Sequence, residues 1–229
     1  MIILQNIIES NYRFQPAWIM VLIVISIMII GYLFSAFHSR FVSMLRAFFL
    51  IRFSNQLSRE EYSLTHPVSA FLSLNFIISC SLFIYQSISS KSVFYLTYES
   101  NFSSFLIVVF CVTIIYLVKT VSIKILGFVL EKQLVANEYI FILFLVNQIT
   151  GIGLIPIIIF IAYGKKSIES GFIYIGIAFL IFAFIVRIGK GIVSSLSSRQ
   201  VTPFYIILYL CTFEILPLLL GFKLLERLN

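Results

Sequence analysis

Long apolar segments alternate with short polar stretches along the whole chain. Six such segments lie at about 16–37, 67–88, 103–122, 139–163, 172–189 and 203–222. No Asp, Glu, Lys or Arg occurs between Arg13 and Arg40, or between Glu138 and Lys165. A helix needs about 20 apolar residues to cross the hydrocarbon core of a bilayer. The pattern therefore predicts an all-α integral membrane protein, a bundle of about six transmembrane helices in which residues 1–229 form a single transmembrane domain.

Composition agrees with this prediction and narrows the classes of partner. Hydrophobic residues make up 61% of the chain and charged residues 11%, against about 45–50% and about 25% in soluble domains. The formal net charge is +7, but basic residues of membrane proteins gather on cytoplasmic loops. We therefore expect the lipid bilayer as partner and no nucleic acid.

Basic residues are distributed unequally between alternate connections. One set comprises Arg40, Arg46, Arg52, Arg59, Lys119, Lys124, Lys132, Arg187, Lys190 and Arg199, and the other Arg13, Lys91, Lys165, Lys166, Lys223 and Arg227. Because the larger set marks the cytoplasmic side, the chain is predicted to form three hairpins folded at that side. Both termini are then predicted to lie on the opposite side.

The first cytoplasmic connection, which follows the apolar segment at 16–37, is too apolar to be a solvated linker and too charged to cross the membrane. Within it, Arg52, Asn55, Gln56 and Arg59 fall on one face of a helix, at i, i+3, i+4 and i+7. This predicts an interfacial helix over about 41–56, with Arg52 and Arg59 as a basic face toward the inner leaflet. An ordinary helical extension that packs on the bundle is the alternative.

Glu214, inside the sixth apolar segment, is the strongest single candidate for a site. An acidic residue at the bilayer centre costs roughly 2.5–3.5 kcal/mol on insertion scales, so we expect it to face the bundle interior. At about 1.5 Å per residue, Asn75, Asn147 and Gln148 reach a similar depth. These four residues are predicted to form a mid-membrane polar layer, serving either as an ion, proton or substrate site or as hydrogen bonds that lock helices together.

The fourth segment carries Gly151, Gly153 and Pro156 close together, and Pro217 follows Glu214 in the sixth. Transporters use such helix breaks to expose backbone groups to a substrate. Glycine and proline also occur in transmembrane helices for close packing alone. We therefore predict a kinked or unwound stretch, with close packing as the alternative.

Residue types that carry common catalytic or metal chemistry are scarce. The sequence contains no phosphate-binding glycine loop, catalytic triad motif or zinc motif. His38 and His66 lack a third ligand, and Cys80, Cys111 and Cys211 each lie in an apolar run. We therefore expect no catalytic residue, no metal and no cofactor.

Two short stretches carry a resemblance to a known family. Residues 204–219, which read FYIILYLCTFEILPLL, and residues 52–56, which read RFSNQ, resemble an uncharacterised family of polytopic inner-membrane proteins of Bacteroidota, a domain of unknown function. The resemblance implies a Gram-negative inner membrane and periplasmic termini, but no reaction. It also makes Glu214 and Pro217 features of the family.

Three functions remain open at this point. The first is a non-enzymatic accessory or assembly subunit of an envelope complex, with a membrane-protein partner or as a homo-oligomer. The second is a small carrier or channel with Glu214 in its site. The third is an intramembrane enzyme that acts on lipids and holds phosphate headgroups with Arg52 and Arg59.

Overall fold

The computed structural model describes residues 16–49, 67–89, 102–129, 131 and 133–197. These residues form six α-helices: α1 Ala17–Ala36, α2 His38–Phe49, α3 Pro67–Ser89, α4 Phe102–Val129, α5 Gln133–Tyr163 and α6 Lys166–Ser197. All of these except α2 contain a stretch that is long and apolar enough to cross a membrane. The predicted all-helical fold is thus confirmed for the described residues, whereas the predicted sixth span at 203–222 lies outside them.

The ends of the helices follow from local sequence. Pro16 precedes α1, and Pro67 opens α3, where a missing backbone N–H costs nothing because the first turn has no partner for it. The backbone N–H of Phe37 bonds to the Leu33 carbonyl and closes α1. Between α4 and α5, Glu131 adopts a φ of 54° and reverses the chain.

Contacts at both ends of α1 show that it runs antiparallel to α3. At one end of the bundle, the Trp18 ring lies 5.2 Å from the Tyr85 ring. At the other, Leu33 packs in one cluster with Val68 and Leu72. We call these the Trp18 end and, after a lysine of α6 that lies there, the Lys190 end.

The remaining helices continue the alternation. Tyr116 of α4 contacts Phe144 of α5, with ring centroids 5.1 Å apart, and Ile123 packs with Ile140 nearer the Lys190 end. Gly151 of α5 lies against Phe76 of α3, and α5 turns back into α6 at the Trp18 end. Helices α3 and α5 therefore run in one direction, and α1, α4 and α6 in the other.

Helix α5 is the centre of the bundle and α4 lies at its surface. Helix α5 packs against α1, α2, α3, α4 and α6. Most residues of its apolar stretch are buried, whereas very few residues of the apolar stretch of α4 are. Phe110, Ile115 and Phe128 of α4 all point outward. The surface is therefore apolar, while several polar side chains lie inside, which reverses the distribution found in soluble proteins.

The short helix α2 packs on the bundle. The Lys190 ammonium of α6 donates a hydrogen bond of 2.6 Å to the Ala47 carbonyl oxygen and lies 5.2 Å from the centroid of the Phe48 ring. A helix after the first span was predicted, and the structure starts it at His38. The part of the prediction that includes Arg52 lies outside the described residues.

Two interpretations were open for the fourth segment, a kinked or unwound stretch and close packing, and the structure favours close packing. Helix α5 is continuous from Gln133 to Tyr163, with Pro156 inside it, so no stretch is unwound. A Cβ atom at Gly151 would lie 2.6 Å from the Cα atom of Phe76, and one at Gly153 would lie 2.5 Å from the Phe179 ring. The glycines are there because α3 and α6 approach α5 too closely for a side chain.

We expect Gly151→Ala to lower the free energy of unfolding by about 1–3 kcal/mol, the usual cost of overpacking, because α3 must move away from α5. Gly31 of α1 is the matched control, since a Cβ there meets nothing within 4 Å. Gly31→Ala should be neutral or stabilising by up to about 1 kcal/mol. The comparison is made by denaturing each purified variant in the same detergent, and equal stability of the two variants would contradict the packing argument.

Candidate functional site

Gln148 joins α5 to α3 inside the bundle. Its Nε2 atom donates to the Ser69 carbonyl oxygen at 3.1 Å, to the Ser69 hydroxyl at 2.8 Å and to the Ser73 hydroxyl at 3.2 Å. The side chain is only 2% exposed. Between apolar helices, an interhelical hydrogen bond of this kind fixes which faces of the two helices meet.

Asn147, the preceding residue, joins α5 to α6. The Arg187 guanidinium donates through Nη2 to the Asn147 side-chain oxygen, and hydrogen bonds to a charged donor are stronger than those between neutral groups. Arg187 belongs to the apolar stretch Ile168–Gly191. Arg187 was predicted near the cytoplasmic end of its segment, and its side chain reaches from there into the bundle.

Helix α4 adds a hydroxyl to the same region. The Tyr116 hydroxyl lies beside Ser73, Asn147 and Arg187, although none of them makes a hydrogen bond of good geometry with it. Six side chains from four helices therefore surround one region, which we call the polar centre: Ser69, Ser73, Tyr116, Asn147, Gln148 and Arg187.

The polar centre lies about halfway along α4 and α5 but nearer the Lys190 end of α3 and α6, and apolar side chains pack on both sides of it. Toward the Lys190 end, Leu33 packs with Phe41. Toward the Trp18 end, the rings of Trp18 and Phe105 lie 5.2 Å apart in a cluster with Tyr85. Polar groups in this position are shielded from the water at both ends of the bundle.

Asn75 of α3 is buried on nearly the opposite side of that helix from Ser73, and it has no hydrogen-bond partner among the described residues. It is 0% exposed, and neither its amide nitrogen nor its amide oxygen makes a hydrogen bond. Other side chains that are almost completely buried with unpartnered polar atoms are Ser26, Ser79, Ser81 and Gln86. Since native proteins pair nearly all their buried polar groups with protein or ordered water, these side chains mark an unusual interior.

The structure brings some of the predicted site residues together. Asn147 and Gln148 both belong to the polar centre, whereas Asn75, two residues after Ser73, points to nearly the opposite side of α3. Predicted site residues that lie outside the described part of the chain are Glu214, Pro217, Arg52 and Arg59, together with His66. Among the residues that are described, no group of three or more His, Cys, Asp or Glu side chains is placed to hold a metal ion.

Four members of the polar centre, Ser69, Ser73, Tyr116 and Arg187, were not predicted as site residues. Serines such as Ser69 and Ser73 are common in apolar helices and give no distinguishing signal in a single sequence. Arg187 did have a signal, since it follows an uninterrupted apolar run from residue 172. A long side chain at the end of such a run can reach either outward or inward, and spacing alone does not decide between them.

The described part of the chain is a bundle whose five long helices have the length and the apolar surface typical of membrane-spanning helices. The chain belongs to the family described as Domain of unknown function (DUF4271), which matches residues 19–225. The expected relationship to a family without an assigned function is thereby confirmed, and the match extends over Glu214 and Pro217. Neither a curated protein nor a solved structure matches the chain.

A double-mutant cycle tests the link between α5 and α6. We expect Asn147→Ala and Arg187→Ala to be coupled by about 1.5–3 kcal/mol in the free energy of unfolding, the range for hydrogen bonds to charged groups. Thr113 provides a control cycle with Arg187, because its hydroxyl bonds within its own helix to the Val109 carbonyl oxygen. A coupling for the Asn147 cycle no larger than that of the control would show that the bond contributes nothing to stability.

Proposed function

We propose that this protein is a multi-pass protein of a bacterial inner membrane and that it binds or passes a small polar solute at the polar centre, as a small carrier or channel. The observation that carries the proposal is the Arg187 guanidinium, which donates to Asn147 about halfway along the apolar helix α5. Charged side chains within membrane spans are costly, and they commonly mark ion, proton or substrate pathways.

The apolar surface of the bundle supports the proposed location in a membrane. Helix α4 directs apolar side chains outward along its length, and the outer faces of α1 and α6 carry further exposed large hydrophobic residues. Lipid is the solvent that such a surface requires. With the Lys190 end toward the cytoplasm, as the distribution of basic residues predicts, both termini would be periplasmic.

The chemistry of the polar centre suits a hydrogen-bonding solute. Serine and tyrosine hydroxyls both donate and accept, and the Asn147 and Gln148 amides add donors and acceptors. Among the described residues, no group makes a hydrogen bond of good geometry to the Tyr116 hydroxyl, which therefore has hydrogen-bonding capacity left for a solute. Glu214, which sequence analysis places at a similar depth, is a further candidate member of this site.

An accessory or assembly subunit of an envelope complex is the second candidate. It is favoured by the three hydrogen bonds of Gln148, which join α3 to α5 as a structural lock would. In that case the polar centre is dry and serves only to align helices that contact a partner protein or a second copy. The proposed lipid enzyme depends on Arg52 and Arg59 and stays a prediction from the sequence.

Thiol labelling distinguishes a solute site from a dry lock. In a protein whose only cysteine is introduced by Ser73→Cys, we expect a membrane-impermeant methanethiosulfonate reagent to label the polar centre in sealed vesicles. A second protein retains only the native Cys111, which is exposed on the outer face of α4 and should stay unlabelled in lipid. Equal protection of both cysteines from reagent on either side would overturn the carrier and favour the subunit.

A further inference from the structure

Two buried side chains on one face of α3 have no hydrogen-bond partner. Asn75 and Ser79 stand at i and i+4, so they project within about 40° of each other around the helix axis. They are 0% and 1% exposed, and no described group bonds to their side-chain polar atoms. Ser73, which belongs to the polar centre, projects roughly 120° or more away from both. The two side chains therefore belong to a separate place in the bundle.

Ser26 of α1 lies at the same level. It is almost completely buried, and its hydroxyl likewise has no partner among the described groups. Ile19, Ser26 and Leu33 stand at i, i+7 and i+14, and so share one face of α1. Ile19 packs in one cluster with Leu82 of α3, and Leu33 packs in another with Leu72. Because the helices are antiparallel, Ser26, midway between these contacts, is level with the two polar side chains of α3.

Pro156 adds an oxygen from α5. It lies inside the helix and has no backbone N–H, so the Ile152 carbonyl loses the hydrogen bond that residue i+4 normally donates. The Ile152 side chain packs on the cluster in which α1 meets α3, and the neighbouring Gly151 lies against Phe76. The freed carbonyl oxygen is therefore on the side of α5 that faces the other two helices, level with their unpartnered groups.

Water satisfies such a set of groups better than a cation does. The Asn75 amide offers two donors as well as an acceptor, and each serine hydroxyl both donates and accepts. A cation would bind only the oxygens and leave the amide donors unpaired, whereas water donates and accepts. Residues 151–162 of α5 carry no polar side chain that could take its place. Internal water binds where two to four buried polar groups converge.

We propose that Ser26, Asn75, Ser79 and the Ile152 carbonyl oxygen form a closed site for ordered water, which joins α1, α3 and α5 by bridging hydrogen bonds. We call this the water site. It goes beyond the proposed solute site, and neither of the two depends on the other.

Apolar clusters enclose the water site on both sides. Ile19 and Leu82 pack toward the Trp18 end, and Leu33 and Leu72 pack toward the Lys190 end. The bound water is therefore separated from the water outside the bundle. The site also gives Pro156 a role that does not require a broken helix, because the proline leaves one backbone acceptor available to water within a continuous α5.

Hydroxyl-radical footprinting of the full chain in detergent tests the water site. X-rays split water into radicals that oxidise the nearest side chains, and ordered water does so inside a protein. Leu82 is buried one turn from Ser79, and we expect its oxidation, read by mass spectrometry, to fall at least fivefold in Asn75→Leu. Ser87→Ala is the matched control and should leave this oxidation unchanged. Ser87 is also a buried serine of α3, but its hydroxyl donates to the Phe83 carbonyl oxygen at 2.8 Å.

Ser26→Ala provides a second variant, which removes one hydroxyl and adds no bulk, and it should lower the oxidation of Leu82 at least twofold. Unchanged oxidation of Leu82 in both variants would overturn the proposal. So would oxidation in the unaltered protein no greater than that of Ile140, a fully buried residue of an apolar cluster. Loss of the oxidation when sodium chloride replaces choline chloride would identify a bound cation in place of water and would also overturn it.

Discussion

Asn147 and Gln148 are neighbours in sequence, and on an α-helix neighbouring side chains point about 100° apart. One amide therefore accepts a hydrogen bond from Arg187 of α6, while the other donates to two serines of α3. Inside an apolar bundle water is scarce, so these bonds are costly to lose. The rotation of α5 is set by them, and with it the positions of the helices on either side.

Helix α3 shows how a membrane-type interior differs from a soluble core. It carries serines at 69, 73, 79, 81, 87 and 89, yet most of this helix faces other helices. Small side chains allow close approach, and their hydroxyls join helices or bond to their own backbone, as Ser87 does to the Phe83 carbonyl oxygen. In a soluble protein, a helix with this many polar residues would lie on the surface. Here the same residues lie on a helix that faces other helices.

Sequence patterns predicted the long helices because the length of an apolar run is fixed by the thickness of a bilayer. They also placed Asn147 and Gln148 at mid-depth, since depth follows directly from helical rise. Rotation about the helix axis does not follow from spacing, and so the role of Arg187 was missed. Two interpretations of the α5 glycines stayed open for a related reason, because the same residues can break a helix or admit a neighbour, and the position of Phe76 favours the second.

Arg187 and Lys190 are three residues apart and so lie on nearly the same face of α6. One reaches Asn147 in the interior, and the other reaches the Ala47 carbonyl oxygen of the short helix that follows α1. A turn of α6 about its own axis would strain both contacts at once. Because both contacts belong to one helix, a displacement of α2 would also shift Arg187 at the polar centre.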